Sequence, residues 1–448
     1  MKLDVWMDGV ASRVGVLERA ADKSMTFSYA DGVPANGRVS IAMPIRTDPY
    51  GDAACVAYFG NLLFEGRELE RVKAAHRIDG DDIAGLLYHL GADCPGAVSV
   101  TPEGAGPGKR PGLFPDDYEH VSKGRMIEIV RSLHYKGHLP EGARDPSPVA
   151  GVQPKIALLR MDGEFYLPRA GSRAPTTHIL KISPKDDLSI TRHEHALLSL
   201  ARSIEIKAIE SEYLVFEDDE TCAEIGAILS ERFDRIVEGN EIRRIHAEDL
   251  CQALGLSRHL KYERDGELDE HKFSLKAVGD LADCLSIPVV FQVGFLMQTI
   301  FNLAVGNTDN HAKNTSILYR TENGELAPLY DVVPVTMDSR PTHALSFSLG
   351  NATFAEDLSE EALTEAMKDL GFKKPKALKL ILLVLRQVAK RVNQMEAQGG
   401  KLLADGVAAQ LLVLEEVLGV DLKLPDRDFF PRNVRDEKAV TMGWGGVS

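Results

Sequence analysis

The sequence predicts an α+β protein in which a small α/β unit precedes a strand-rich lobe and then a mostly helical lobe. Three observations carry that expectation. Short apolar runs with period-two alternation fill residues 1–100 and return at 147–233, and helical periodicity dominates beyond Asp234. Between the first two regions, 101–117 (TPEGAGPGKRPGLFPDD) is rich in Pro and Gly. The expected boundaries are an α/β subdomain over 1–100, a linker and connecting helix over 101–146, a strand-rich lobe over 147–235, a helical lobe over 236–432 and a flexible tail over 433–448.

In the first unit, 2–6 and 14–17 read as strands parted by the turn signal Asp8-Gly9, followed by 25–29, 39–43 and 97–100. Residues 61–88 read as helix, with Leu69, Val72, Ala75 and Ile78 at helical spacings. The second region reads as strands at 155–160, 164–167, 177–182, 213–217 and 227–233, interrupted by a helix at 191–204. The third reads as helices at 246–254, 268–285, 289–305, 359–369, 376–396 and 406–418.

A formal net charge of −15 makes the field of the whole chain repel nucleic acid, so contact with DNA needs a local basic patch or a basic partner. Five scattered cysteines (Cys55, Cys94, Cys222, Cys251, Cys284) form no CxxC pair. They exclude a disulfide framework and a zinc knuckle, and predict a reducing, cytoplasmic setting. Met1-Lys2-Leu3-Asp4-Val5 is no signal peptide. The most apolar stretch, 287–306, starts at Pro288 and carries Gln292, Gln298, Thr299 and Asn302 on one side at helical spacing. It reads as a buried helix with a polar stripe, and a soluble protein without a membrane span is expected.

The strongest chemical signal is Gly306-Asn307-Thr308-Asp309-Asn310-His311-Ala312-Lys313-Asn314. Phosphoryl transfer needs a carboxylate to orient a hydroxyl and take its proton, and oxygen ligands for cations that neutralise the phosphates. In protein kinases the catalytic Asp and a metal-binding Asn stand five positions apart, as Asp309 and Asn314 do. A second metal carboxylate is expected after a short hairpin. Pro328-Leu329-Tyr330-Asp331-Val332-Val333 supplies Asp331, with Val332 and Val333 replacing the Phe and Gly of the kinase DFG triplet. The bland alternative is an Asx-rich loop in which Asp and Asn only cap a turn.

Upstream, Thr177-His178-Ile179-Leu180-Lys181-Ile182 matches the kinase strand whose lysine grips the α and β phosphates. Glu194 reads either as the partner of that lysine or as part of a solvated face, and His193-Glu194-His195 is no zinc motif because Leu stands at 197. Gly104–Lys109 is no P-loop: Glu103 and Arg110 stand where Gly and a hydroxyl are required. Val149-Ala150-Gly151-Val152-Gln153-Pro154-Lys155 opens a strand instead, as a candidate phosphate loop with Lys155 adding charge. In Ser230-Glu231-Arg232-Phe233-Asp234-Arg235, Glu231 and Phe233 are candidates for the adenine edge and Asp234 for the ribose. The alternative is a surface ion pair of Asp234 with Arg232 or Arg235. Together these features make the expected fold protein-kinase-like and two-lobed.

The chain resembles the HipA family of bacterial serine/threonine-kinase toxins. The resemblance rests on VAGVQPKIALLR (149–160), TTHILK (176–181), ERFDR (231–235), HAEDLCQALG (246–255), KYE (261–263), GNTDNHAKN (306–314) and PLYDV (328–332), with FGNLLFEG (59–66) and GAVSV (96–100) in the first unit. It implies Asp309 as catalytic base, Asn314 and Asp331 as Mg²⁺ ligands, and ATP held by Ala150, Gly151, Val152, Gln153, Lys155, Lys181, Glu231, Phe233, Asp234 and His311. It also implies a protein substrate of the aminoacyl-tRNA synthetase class, notably the glutamyl enzyme, whose modification halts translation and favours dormancy. A HipB-type DNA-binding antitoxin is the implied partner, so DNA is met mainly through it. One departure stands out. The family's autophosphorylated serine aligns with Pro148, so either Ser147 takes that role or self-inactivation is absent. The rival functions are a lipid or small-molecule kinase, which the lack of a polybasic run disfavours, and a catalytically silent ATP-binding co-repressor scaffold.

Overall fold

The alternation of the first hundred residues resolves into an antiparallel sheet in the computed structural model of the protein. Strands β1 (Lys2–Met7), β2 (Gly15–Arg19), β3 (Met25–Tyr29) and β4 (Val98–Pro102) lie in the order β3-β2-β1-β4. Leu3 and Val5 point from one face of β1 into a core with Leu17, Phe27, Phe59 and Leu86. The residues described are 1–64, 67–79, 81–141, 143, 153–266, 271–373 and 376–427; Ser147, Pro148, Ala150, Gly151, Val152 and the tail 433–448 lie outside them.

Two expectations for this region are corrected. Residues 39–43 form no strand: 40–43 close a turn, in which the Met43 N–H donates to the Ser40 carbonyl at 3.2 Å and the two residues make an isolated bridge. The Tyr29 hydroxyl accepts from the Val39 N–H at 3.0 Å and donates to the Met43 carbonyl at 2.6 Å, doing the work of a ladder. The helix expected over 61–88 is two helices, Arg67–His76 and Ile83–Leu90, because Asp82 caps the second by accepting from the Gly85 N–H at 2.9 Å.

The chain divides into two compact units. The first comprises Met1–Leu188, Tyr213–Arg258 and Ser316–Gly324; the second comprises Ser189–Glu212, His259–Thr315 and Glu325–Ser448. Within the first, the Pro/Gly-rich stretch is packed against its surroundings. Lys109 is buried with its Nζ 2.9 Å from the Asp93 carboxylate, and Gly112–Leu113 forms β5. A six-stranded sheet follows in the order β10-β11-β9-β7-β8-β6, from β6 (Tyr118–His120), β7 (Lys155–Met161), β8 (Glu164–Pro168), β9 (His178–Ile182), β10 (Ser211–Glu217) and β11 (Glu224–Glu231). Helix Lys123–Lys136, capped by Ser122 and closed by left-handed Gly137, packs Ile129, Val130 and Leu133 on Ile156, Leu158, Leu180 and Ile182.

Strands continue directly beyond Asp234, where the sequence leads one to expect a mostly helical lobe with helix from 246. β12 (Arg235–Glu238) and β13 (Glu241–Arg244) form a hairpin whose second strand pairs with β5. Residues 246–254 are not a helix: β14 (Ala247–Asp249) pairs with β15 (Ser316–Leu318), and only Leu250–Ala253 turns helically, behind an Asp249/Gln252 capping box.

The second unit is helical. Its centre is Pro288–Ala304, started by its proline and burying Phe295, Leu296, Ile300 and Phe301. Glu360–Asp369, Lys376–Gly399 and Lys401–Leu418 match the periodic segments read from sequence. Of the helix expected over 268–285, the described part forms Leu275–Leu281, capped by Ser274, and a short 3₁₀ turn at Ala282–Cys284. Helix Ile190–Ser203, which sequence order places in the strand-rich lobe, belongs here. Arg192 donates to the Gln398 carbonyl at 2.6 Å, and Ala196 packs at Gly399. Among the described residues no helix is long and apolar enough to cross a membrane.

Candidate active site

The loop after Pro288–Ala304 is held almost entirely by polar side chains. Gly306 has φ +73°, and a Cβ there would run into Thr336 Oγ1, so the chain turns at this point only with glycine. Asn302, on the last helical turn, accepts from Asn307 Nδ2 at 2.9 Å, and Asn307 Oδ1 accepts from the Asp309 N–H at 3.3 Å. The polar stripe of the apolar helix thus has a use: Asn302 anchors the loop, and Gln298 donates to the Ala327 carbonyl at 3.1 Å. The Asp309 carbonyl then accepts from the His311 N–H at 2.8 Å and from Asn314 Nδ2 at 2.9 Å. Anchoring the amide nitrogen of Asn314 leaves its oxygen as the available ligand atom.

Asp309 is the least typical group in the loop. Burial pushes its acid up to about 6, while the Tyr262 hydroxyl and Lys261 pull it back and the Asp331 carboxylate adds repulsion. Tyr262 donates to Asp309 Oδ1 at 2.6 Å. Asp331 stands at φ +56°, a left-handed conformation that a non-glycine residue adopts at a cost. Its neighbours fix it: the Tyr330 hydroxyl donates to the Lys313 carbonyl at 2.8 Å, the Leu329 carbonyl accepts from the Ile209 N–H at 3.0 Å, and Val332 is fully buried.

In the first unit, Lys181 lies on the central strand β9, directly opposite Lys155 on β7. Residues opposite one another in an antiparallel pair share a face, so the two lysines lie on one side of the sheet. Glu231 ends β11 in register with His178, and it is exposed. Phe233 is half-buried and Gln153 is described just ahead of β7. Glu194 is fully buried on Ile190–Ser203, which removes the solvated-face reading.

Asp234 stands where neither sequence reading put it. It is 5% exposed, it pairs with Arg232 at 3.1 Å and Arg235 at 2.7 Å, and it accepts from the Gly96 N–H at 3.1 Å. Although burial alone would raise its acid, the two guanidinium groups hold it well below the usual carboxylate range. The ion pair expected at the surface is internal, and the carboxylate is engaged from three sides. It belongs to a buried cluster with Asp8, Asp93, Lys109 and Arg244, where Arg244 Nη2 meets Asp8 at 2.7 Å. Sequence reasoning gave Tyr262 no role, although it lies in the KYE segment. No local spacing marks it, since its partner Asp309 lies 47 residues further along the chain.

A strand lysine in a sheet-rich unit and an Asp/Asn/Asp oxygen set on a helical one define the class: a protein-kinase-like phosphotransferase. The HipA-like C-terminal domain family matches residues 147–394, and the HipA N-terminal domain family matches 3–101. The chain belongs to the HipA family of kinase toxins. It is 29% identical over 410 residues to a putative kinase, Y4mE, of Sinorhizobium fredii, covering 90% of this chain and 92% of that one. It is 28% identical over 349 residues to the serine/threonine-protein kinase toxin HipA of Shewanella oneidensis, covering 75% of each. The same fold is seen in the Shewanella oneidensis complex of HipA, HipB and operator DNA, with a TM-score of 0.73, 23% identity, and coverage of 93% of this chain and 98% of that one.

Proposed function

We propose that this protein is a Mg²⁺- and ATP-dependent serine/threonine protein kinase, the toxin of a HipBA-like pair, acting on a translation protein of the aminoacyl-tRNA synthetase class such as the glutamyl enzyme. The observation that carries the reading is Asp309, a half-buried carboxylate fixed through its backbone and one oxygen, with its acid pushed up to about 6. The substrate hydroxyl gives its proton to Asp309, its oxygen attacks the γ-phosphorus, and ADP leaves. Lys155 and Lys181, opposite one another on one face of the sheet, would take the phosphates. Gln153, Glu231, Phe233 and His311 would complete the nucleotide contacts, together with the segment around Gly151; Asp234, already engaged, is left out of this set.

The oxygen pair fits magnesium. Asp331 and Asn314 offer hard ligands, and the repulsion between the Asp331 and Asp309 carboxylates is what a divalent cation would relieve. Among the described residues no cluster of three or more His, Cys, Asp or Glu forms a complete metal cage. The remaining ligands of a bound Mg²⁺ would be phosphate oxygens and water. When bound, Mg²⁺ would neutralise the phosphate charge.

A HipB-like antitoxin as partner is supported by the Shewanella oneidensis complex, and it accounts for how a chain of charge −15 could come to an operator. The test is to incubate the protein and Asp309→Asn with Mg²⁺, labelled ATP and a bacterial lysate. Discrete labelled proteins with the wild type alone support the reading, and mass spectrometry then names the target and reports on Ser147. Tight ATP binding without labelling would sink it in favour of the silent scaffold.

A further inference from the structure

Asp309 has a partner that its own loop does not supply. Tyr262 is 47 residues upstream, mostly buried, and its hydroxyl reaches Asp309 Oδ1 at 2.6 Å. The ring is clamped on two sides. The Arg264 guanidinium stacks over it at 3.9 Å, and the His311 imidazole meets it edge-on with centroids 5.1 Å apart. The backbone locks the same place, since the Lys261 carbonyl accepts from the Ala312 N–H at 3.0 Å. A small cavity opens beside the pair, lined by Tyr262, Arg264, Thr308, Asp309 and Thr342.

An ordinary buried tyrosine needs one acceptor, and a backbone carbonyl satisfies it. This one spends its hydroxyl on the carboxylate that must receive a proton, and on one oxygen only. We propose that Tyr262 is a positioning residue for the catalytic base: it pins Oδ1 of Asp309 so that Oδ2 faces the acceptor hydroxyl, with Arg264 holding the ring in place. The inference rests on Asp309 being the base. Without the tyrosine the carboxylate rotates about its last bond and presents Oδ2 in productive orientation for only part of the time. Nucleotide binding draws on other residues, so affinity for ATP stays as it is.

The experiment measures label transfer from Mg²⁺-ATP to lysate proteins at fixed protein and varied ATP, for wild type, Tyr262→Phe, Arg264→Ala and Asp309→Asn, with a melting curve for each. Loss of a hydrogen bond to a charged group predicts a rate about ten- to a hundredfold lower for Tyr262→Phe. The KM for ATP stays within about twofold, and Arg264→Ala shows a smaller fall of the same kind. A Tyr262→Phe rate equal to wild type, or one that falls only together with ATP affinity, overturns the proposal. If Tyr262→Phe does not fold, the exposed Arg264→Ala decides by the same split between rate and KM. Activity retained by Asp309→Asn removes the base itself, and the proposal with it. Inactive Asp309→Asn beside unimpaired Tyr262→Phe removes the tyrosine's role alone.

Discussion

Two aspartates of this chain, half-buried Asp309 and buried Asp234, show how differently one side chain can be set. Asp309 has a single neutral donor on one oxygen, and burial moves its acid up to about 6. Asp234 has two guanidinium groups and a backbone N–H, and its acid is held well below the usual range. The carboxylate proposed to exchange a proton has less positive charge about it. One that ties strands together is surrounded by it.

The comparison breaks most readily at Asp309. Asp309→Asn should lower phosphoryl transfer on the order of 10²–10⁴-fold while the melting temperature stays near wild type, because the amide still accepts from Tyr262. At Asp234 the pattern inverts. Asp234→Asn removes the carboxylate that Arg232 and Arg235 share in the interior and should cost about 3–5 kcal/mol in urea unfolding. Equal stability of that variant and the wild type would mean that the cluster is not bearing on the fold.

A smaller loss is expected at Gly306. Gly306→Ala forces a side chain into left-handed backbone against Thr336 and should destabilise by about 2 kcal/mol, with a fall in rate since the base is three residues on.

Glu248 sharpens the contrast further. It is buried, accepts from the Ile41 N–H at 3.0 Å and from the Tyr319 hydroxyl, and burial pushes its acid up to about 7. A raised carboxyl binds its proton more tightly folded than unfolded. Stability from this group is therefore greatest below about pH 4.5 and is lost as pH rises towards 7. Glu248→Gln should flatten the dependence of the urea midpoint on pH across that window; an unchanged slope would assign the dependence to other groups.

The sequence showed much of this where the relevant residues are neighbours in the chain. The spacing of Asp309 and Asn314, Asp331 after an apolar run, and Lys181 ending an alternating stretch all lie within single segments, and the structure places each in a fixed setting. Strand and helix periodicity located β7, β9 and Pro288–Ala304 to within a residue or two. The failures share a cause. Residues 39–43 look like a strand but find no ladder partner, and the 246–254 stretch has helical spacing until β15 claims its first residues. In each case the deciding neighbour is distant in the chain.

By itself the sequence determined which groups could do chemistry, because the residue types and their local spacing are covalent facts. It also determined the broad split into strands and helices, since burying one face imposes a period. Only the tertiary structure decided how each aspartate is engaged. Asp309 meets Tyr262 and Asp331, while Asp234 meets Gly96 and lies with Asp93 and Lys109. Charge and solvation at a buried carboxylate are set by whatever the fold brings within a few ångströms of it, and no spacing along the chain records that.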